Sequence, residues 1–203
     1  MNERGMIFNA EMVRAILDGR KTQTRRPVKF PLIDKNMGCE LAGNELAGEL
    51  AAHNYWNSPY GKPGDRIWVR ETFRVHSRAT DVATLVYRAS VRNSWTEQTH
   101  RVPIAVCDKP ATPEKWTPSI HMPRWASRIL LEITDVRVER LRDLSEEDAK
   151  SEGITPPAGG VLPGWEYRIN FRDLWMDIYG TDSWEANPWV WVIEFKRVEG
   201  AAP

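Results

Sequence analysis

The stretch RILLEITDVRVERL, residues 128–141, constrains the fold of this chain more than any other. Apolar and polar residues alternate along it from Ile133 onward, the period of a strand with one covered face. Val136 and Val138 stand on the opposite parity to Ile133, and that break predicts a bulge or bend near Thr134 and Asp135. The closing segment WVWVIEFKRV is apolar on both faces near its start, the pattern of a central strand. Further strands are predicted at IWVR, after a turn made by Pro63, Gly64 and Asp65, and at TLVYRAS.

Helical spacing is confined to three short segments. Asn9 caps one whose stripe is Met12, Val13, Ile16 and Leu17, with Gly19 placed to end it. LSEEDAKSEG reads as a second, with Ser145 as cap, Asp148 at the capping-box position and Gly153 as terminator. Phe171, Leu174, Trp175, Ile178 and Tyr179 form the stripe of a third, which stops at Gly180. The segment GRKTQTRRPV is Thr-rich and closed to helix by Pro27, so it is expected to be extended. Residues 31–61 and 91–123 show weak periodicity, the second with five prolines, and are predicted to be long insertions. The first of them has room for one short helix. Pro156, Pro157, Gly159 and Gly160 read as a linker. The expected class is α+β, one domain over residues 1–203 built as a small mixed barrel or curled sheet with short flanking helices.

Composition narrows the function. The 28 Lys and Arg balance 28 Asp and Glu, which argues against sequence-blind adhesion to duplex DNA, although local basic patches remain open. Cys39 and Cys107 have no paired spacing, so a disulfide framework is not expected and a reducing cytoplasm is the natural setting. No run reaches the roughly 18 to 20 apolar residues of a membrane span. His53, His76, His100 and His121 lack ligand spacing, so neither a metal nor a cofactor is expected, and no Gly-rich phosphate loop is present.

The densest polar cluster is Arg20, Lys21, Thr22, Thr24, Arg25 and Arg26. By itself it reads as a basic, solvated strand able to dock a phosphate. A sharper reading needs a carboxylate partner. Glu152 is a candidate, because it lies in a last helical turn whose partial negative charge opposes an anion. Glu71 shares the parity of Ile67 and Val69 and would need an Arg or Lys if it points inward. Trp175, Trp189 and Trp191 fit core positions, whereas Trp56, Trp95, Trp116 and Trp125 fall in irregular segments where a base could stack.

The blocks ILDGRKTQTRR, KPGDRIWVRE, LSEEDAKSEGIT and WVWVIEFKRV together resemble the ASCH domain, a compact β-barrel of the PUA-like group. The resemblance covers residues 7–29, 62–73 and about 128–198. SIHMPRWASRI and NPWVWVIEF are similar to the longer ASCH proteins of bacteriophages and prophages, which implies the cytoplasm of a bacterial host. The resemblance also implies an amidohydrolase that removes the acetyl group of N4-acetylcytidine or of another modified pyrimidine. Its catalytic set falls on Lys21, Thr24 and Glu152. Arg20, Thr22, Arg25, Arg26, Arg70 and Glu71 would bind substrate or nucleic acid. The family equally implies a non-catalytic module for RNA or single-stranded nucleic acid, and more weakly a ribonuclease, since no His lies in the matching motifs. One geometric demand follows from spacing. Lys21 and Thr24 differ by three and face opposite sides of a flat strand, so the chain must turn near Lys21 and Thr22 for them to converge.

Overall fold

The computed structural model describes residues 1–91, 95–155 and 166–198. In chain order the elements are β1 (Glu3–Ile7), α1 (Ala10–Leu17), β2 (Gln23–Pro27), α2 (Gly43–Ala51), β3 (Arg66–Arg70), β4 (Phe73–Arg78), β5 (Val82–Tyr87), α3 (Trp95–Gln98), β6 (Thr99–Pro103), β7 (Leu130–Arg140), α4 (Glu146–Ser151), α5 (Glu166–Tyr179) and β8 (Trp189–Arg197). Contacts divide the chain into a first unit of residues 1–18, 66–132 and 197–203, and a second of residues 19–65 and 133–196. The mixed α+β class is observed. The linker predicted at Pro156, Pro157, Gly159 and Gly160 lies outside the described residues.

In the first unit β1 runs parallel to β3, and β3 pairs antiparallel with the start of β7, Trp68 opposite Leu130. β4, β5 and β6 form an antiparallel meander. Phe73, Val75, Leu85, Tyr87 and Val102 from these three strands bury a core with Met122 and Ala126. Three strands escaped the sequence reading. β6 lies in the proline-rich stretch expected to be a connection, β1 is exposed at every residue but Met6, and β4 is exposed from His76 to Arg78. Only Met6 of β1 is buried, so no alternation marked it.

In the second unit β8 lies between β7 and β2. Its pairing with β2 runs from Gln23 opposite Glu194 to Pro27 opposite Val190. Val190, Trp191, Val192 and Ile193 are all buried, as a central strand requires. Along β7 burial changes parity between Ile133 and Val136, where the bend was predicted. Phe171 and Trp175 of α5 pack with Leu141, Leu144, Ala149, Val190 and Val192. The last turn of α5 breaks the expected stripe, because Ile178 is 47% and Tyr179 is 38% exposed.

Where a small closed barrel was expected, no set of strands closes among the described residues; closure needs a first and a last strand to pair. β4 and β6 remain edges of their meander, and the free edge of β2 is met by the end of α4.

The stretch 31–61 holds one helix, α2. Its first residue, Gly43, stands where a larger residue does not fit: a Cβ there would stand 2.3 Å from Nε1 of Trp189, whose ring also lies 4.5 Å from the Arg140 guanidinium carbon. Gly43→Ala is therefore expected to lose about 1–3 kcal/mol through overpacking, outweighing the roughly 1 kcal/mol gain in helix propensity. Chemical denaturation of the variant would measure the balance.

Candidate functional site

The basic segment after α1 becomes the edge of the sheet in the second unit. Thr22 accepts a hydrogen bond from the Phe195 amide of β8 (2.9 Å) and donates its own amide to Ser151 at the end of α4 (2.8 Å). In a regular strand both groups of one residue serve the same neighbour. Here they serve two, so the backbone turns at Thr22, as the Lys21 and Thr24 spacing demands. Lys21 then stands opposite Glu152 in an isolated antiparallel bridge.

Glu152 is the C-cap of α4. The helix begins with the predicted capping box, Ser145 Oγ accepting from the Asp148 amide and Asp148 accepting from the Ser145 amide. It ends because Gly153 takes φ +82°, a conformation that costs most other residues strain. That ending presents the Glu152 side chain to Lys21.

The resulting cluster is buried. Lys21 Nζ donates to Glu152 Oε2 (2.7 Å) and to the Glu152 carbonyl (2.9 Å). Arg25 Nη1 donates to Glu152 Oε1 (3.2 Å), and its Nη2 contacts Glu139 and, at 3.5 Å, Asp148. Gln23, on the same strand face as Arg25, donates to Asp148 Oδ1 at 3.2 Å. Lys21 is 2%, Arg25 2% and Glu152 6% exposed. Burial pushes the Lys21 ammonium below its ordinary pKa; the Glu152 carboxylate opposes that shift, and Arg26 and Arg25 add to it.

Thr24 faces the other way. It is fully buried, and its Oγ1 has no hydrogen-bond partner, so the hydroxyl is not bonded to the Lys21 amine. The turn at Thr22 exists, but contact between the two groups does not.

The other expected binding residues divide. Arg20 is exposed and holds the end of α4 through Gly153 O (2.9 Å) and Thr155 Oγ1 (3.1 Å). Thr22 is exposed and Arg26 is half-buried, its Nη1 donating to the Arg25 carbonyl. Arg25 was expected to bind substrate or nucleic acid. Instead it is enclosed by three carboxylates: the bridge sets α4, with Asp148 and Glu152, beside β2, and Glu139 of β7 reaches Arg25 as well. Arg70 and Glu71 belong to the first unit. Arg70 donates to the carbonyls of Ser119 (3.2 Å) and Ile120. Glu71 is buried, as its parity predicts, and Arg128 grips it with two bonds of 2.9 and 3.0 Å.

Glu139 and Asp148 were missed as partners of Arg25. A signal existed for Glu139: Asp135, Arg137 and Glu139 alternate with the buried Val136 and Val138, so they share one face. Arg137 sits among them with bonds to Asp135, Glu139, Asp148 and Glu194, and burial is outweighed by Glu194, Glu139 and Asp135, which raise its pKa.

No protein-family model, curated protein or solved structure matches this chain. The site therefore has to be read from its own geometry. Thr22 and Ser151, next to the bridge, line a cleft of about 440 Å³ together with Arg20, Lys150 and Tyr167. Among the described residues no group of His, Cys, Asp or Glu is arranged to hold a metal ion, and no helix is long and apolar enough to cross a membrane.

Proposed function

We propose that the second unit carries an amidohydrolase site for an acylated pyrimidine such as N4-acetylcytidine, in a chain of the ASCH, PUA-like type. The observation that carries this reading is a lysine amine buried beside a carboxylate, with its pKa lowered by that burial, on the segment that also buries an unpartnered threonine hydroxyl. Perturbed ionisable groups of this kind concentrate where proton transfer is needed.

In the proposed reaction Thr24 Oγ1 attacks the acyl carbon while its proton passes to the neutral Lys21 amine. The tetrahedral adduct collapses to a Thr24 ester as the C–N bond breaks, and the pyrimidine amine leaves with the proton held by Lys21. Water then cleaves the ester, restoring the hydroxyl and releasing acetate. Glu152 holds the amine in place before the attack. The sequence requires Lys21 to leave its bond to Glu152 and reach Thr24. Arg20 and Lys150, at the neighbouring cleft, suit a substrate that carries phosphate.

Chromatography of N4-acetylcytidine, its nucleotide and acetylated RNA after incubation with the protein tests the reading. Cytidine release is expected, lost in Lys21→Met and Thr24→Val and retained in part by Thr24→Ser. Turnover is expected to rise with pH through the Lys21 titration, in a range below that of an ordinary lysine. Release that survives Lys21→Met would refute the assignment.

One observation favours a second reading, a module for RNA or single-stranded nucleic acid: Trp56 is 63% exposed and able to stack on a base. Steeply salt-dependent RNA binding that weakens in Trp56→Ala, with no release from any acylated substrate, would support it instead.

A further inference from the structure

The first unit contains a different polar cleft. β1 and β3 run parallel and end together, with Ile7 opposite Arg70. Parallel strands leave a crevice beyond their carboxyl ends, where α/β folds bind ligands. Here that crevice is a cleft of about 530 Å³, walled by Ile7, the first turn of α1, Arg14, Glu71, Arg88 and Ser119. The volume suits a small organic molecule.

Its walls are fixed by other residues. Arg70 holds the Ser119 turn, Arg128 holds Glu71, and Arg14 Nη1 donates to Ala89 O at 3.1 Å, tying the Arg88–Ser90 turn to α1. Arg88, in contrast, is exposed, and its guanidinium has no hydrogen-bond or ion-pair partner among the described residues. The charge of Glu71 is balanced by Arg128, so the cleft presents Arg14 and Arg88 against the exposed carboxylate of Glu11. The amides of Ala10 and Glu11 in the first turn of α1 also have no acceptor among the described residues, because Asn9 Oδ1 takes the Met12 amide.

We propose that this cleft binds a small organic phosphate, independently of the reaction assigned to the second unit. Its phosphoryl oxygens meet the Arg88 guanidinium and the first-turn amides, a pairing of planar cation and helix start that suits phosphate. Each Glu71 oxygen accepts one bond from Arg128 and keeps a second lone pair for a hydroxyl or amine on the rest of the ligand.

The test is amide NMR of the full chain titrated with ribose 5-phosphate, inorganic phosphate and ribose. Saturable shifts at Ala10, Glu11 and Arg88 are expected with the two phosphates and not with ribose, and neither phosphate is a substrate of the proposed hydrolase. Arg88→Ala is expected to weaken ribose 5-phosphate binding at least about tenfold, the worth of one charge-assisted contact. Arg88→Gln, with its hydrogen-bonding stem and no charge, is expected to lose affinity similarly. Absence of saturable shifts at millimolar phosphate, equal shifts with ribose, or unchanged affinity in both Arg88 variants would overturn the proposal. Because the Arg88 side chain supports no other group, both variants are expected to melt with the native protein.

Discussion

Glu152→Ala is expected to destabilise the protein by about 3–5 kcal/mol, the range for breaking a buried ion pair from one side. The carboxylate accepts from Lys21 Nζ through one oxygen and from Arg25 Nη1 through the other. Its loss leaves Lys21 with the Glu152 carbonyl alone, which cannot offset the desolvation of a full charge. Lys21→Met should cost much less, because it removes the buried cation and leaves Glu152 paired with Arg25. Adding Lys21→Met to Glu152→Ala should recover part of the loss. Guanidinium denaturation of the two single variants and the double variant checks the order. If Lys21→Met costs as much as Glu152→Ala, the lysine stem and not the ion pair supports the site. The native protein carries a related pH signature. The folded pKa of Lys21 lies below its unfolded value, so between the two the unfolded chain binds more protons. The Lys21 contribution is present above the unfolded value and is lost as pH falls through the folded one. Glu152→Ala removes the carboxylate that opposes the shift, so the window in which stability rises with pH should widen downward.

The local signals that survived folding were those with one reader. Caps and terminators act within a few residues, so Asn9, Ser145 and Gly153 bounded their helices from the sequence. Covered strands were legible wherever apolar residues alternated or ran together, as in β3, β7 and β8. β1 and β4 were not: β1 buries Met6 alone, and the alternation of β4 stops after Val75, its last three residues being exposed. The same limit applied to the site. The Lys21 and Glu152 pairing came from the family resemblance, and its geometry depends on a bridge between residues 131 positions apart, which no local pattern encodes. Arg25 shows the converse. Its place in a basic run suggested solvent, but alternation along β2 turns it toward α4 and β7, where Glu139, Asp148 and Glu152 satisfy it.

Arg128→Met should likewise destabilise the protein by about 3–5 kcal/mol at neutral pH, with a deficit that shrinks in acid. Arg128 neutralises Glu71 in the first unit and also donates to Ser90 Oγ at 2.8 Å while its guanidinium carbon lies 4.1 Å from the Tyr87 ring centre. Burial pushes the Glu71 carboxyl above its ordinary pKa, and Arg128 opposes that shift by charge and by hydrogen bonding. A carboxyl raised on folding contributes stability below its unfolded pKa and loses it as pH rises through the folded value. Removing Arg128 leaves burial unopposed. The folded value then climbs further, and the penalty of an ionised Glu71 at neutral pH grows. As pH falls toward the ordinary carboxyl range Glu71 takes up a proton, and the charge part of the deficit disappears. Denaturation curves at several pH values should show the gap between variant and native protein narrowing in acid, while Arg128→Met combined with Glu71→Gln shows no such narrowing. A gap independent of pH would mean that Arg128 acts through its contacts with Tyr87 and Ser90, and that the charge of Glu71 at the wall of the cleft is screened by other groups.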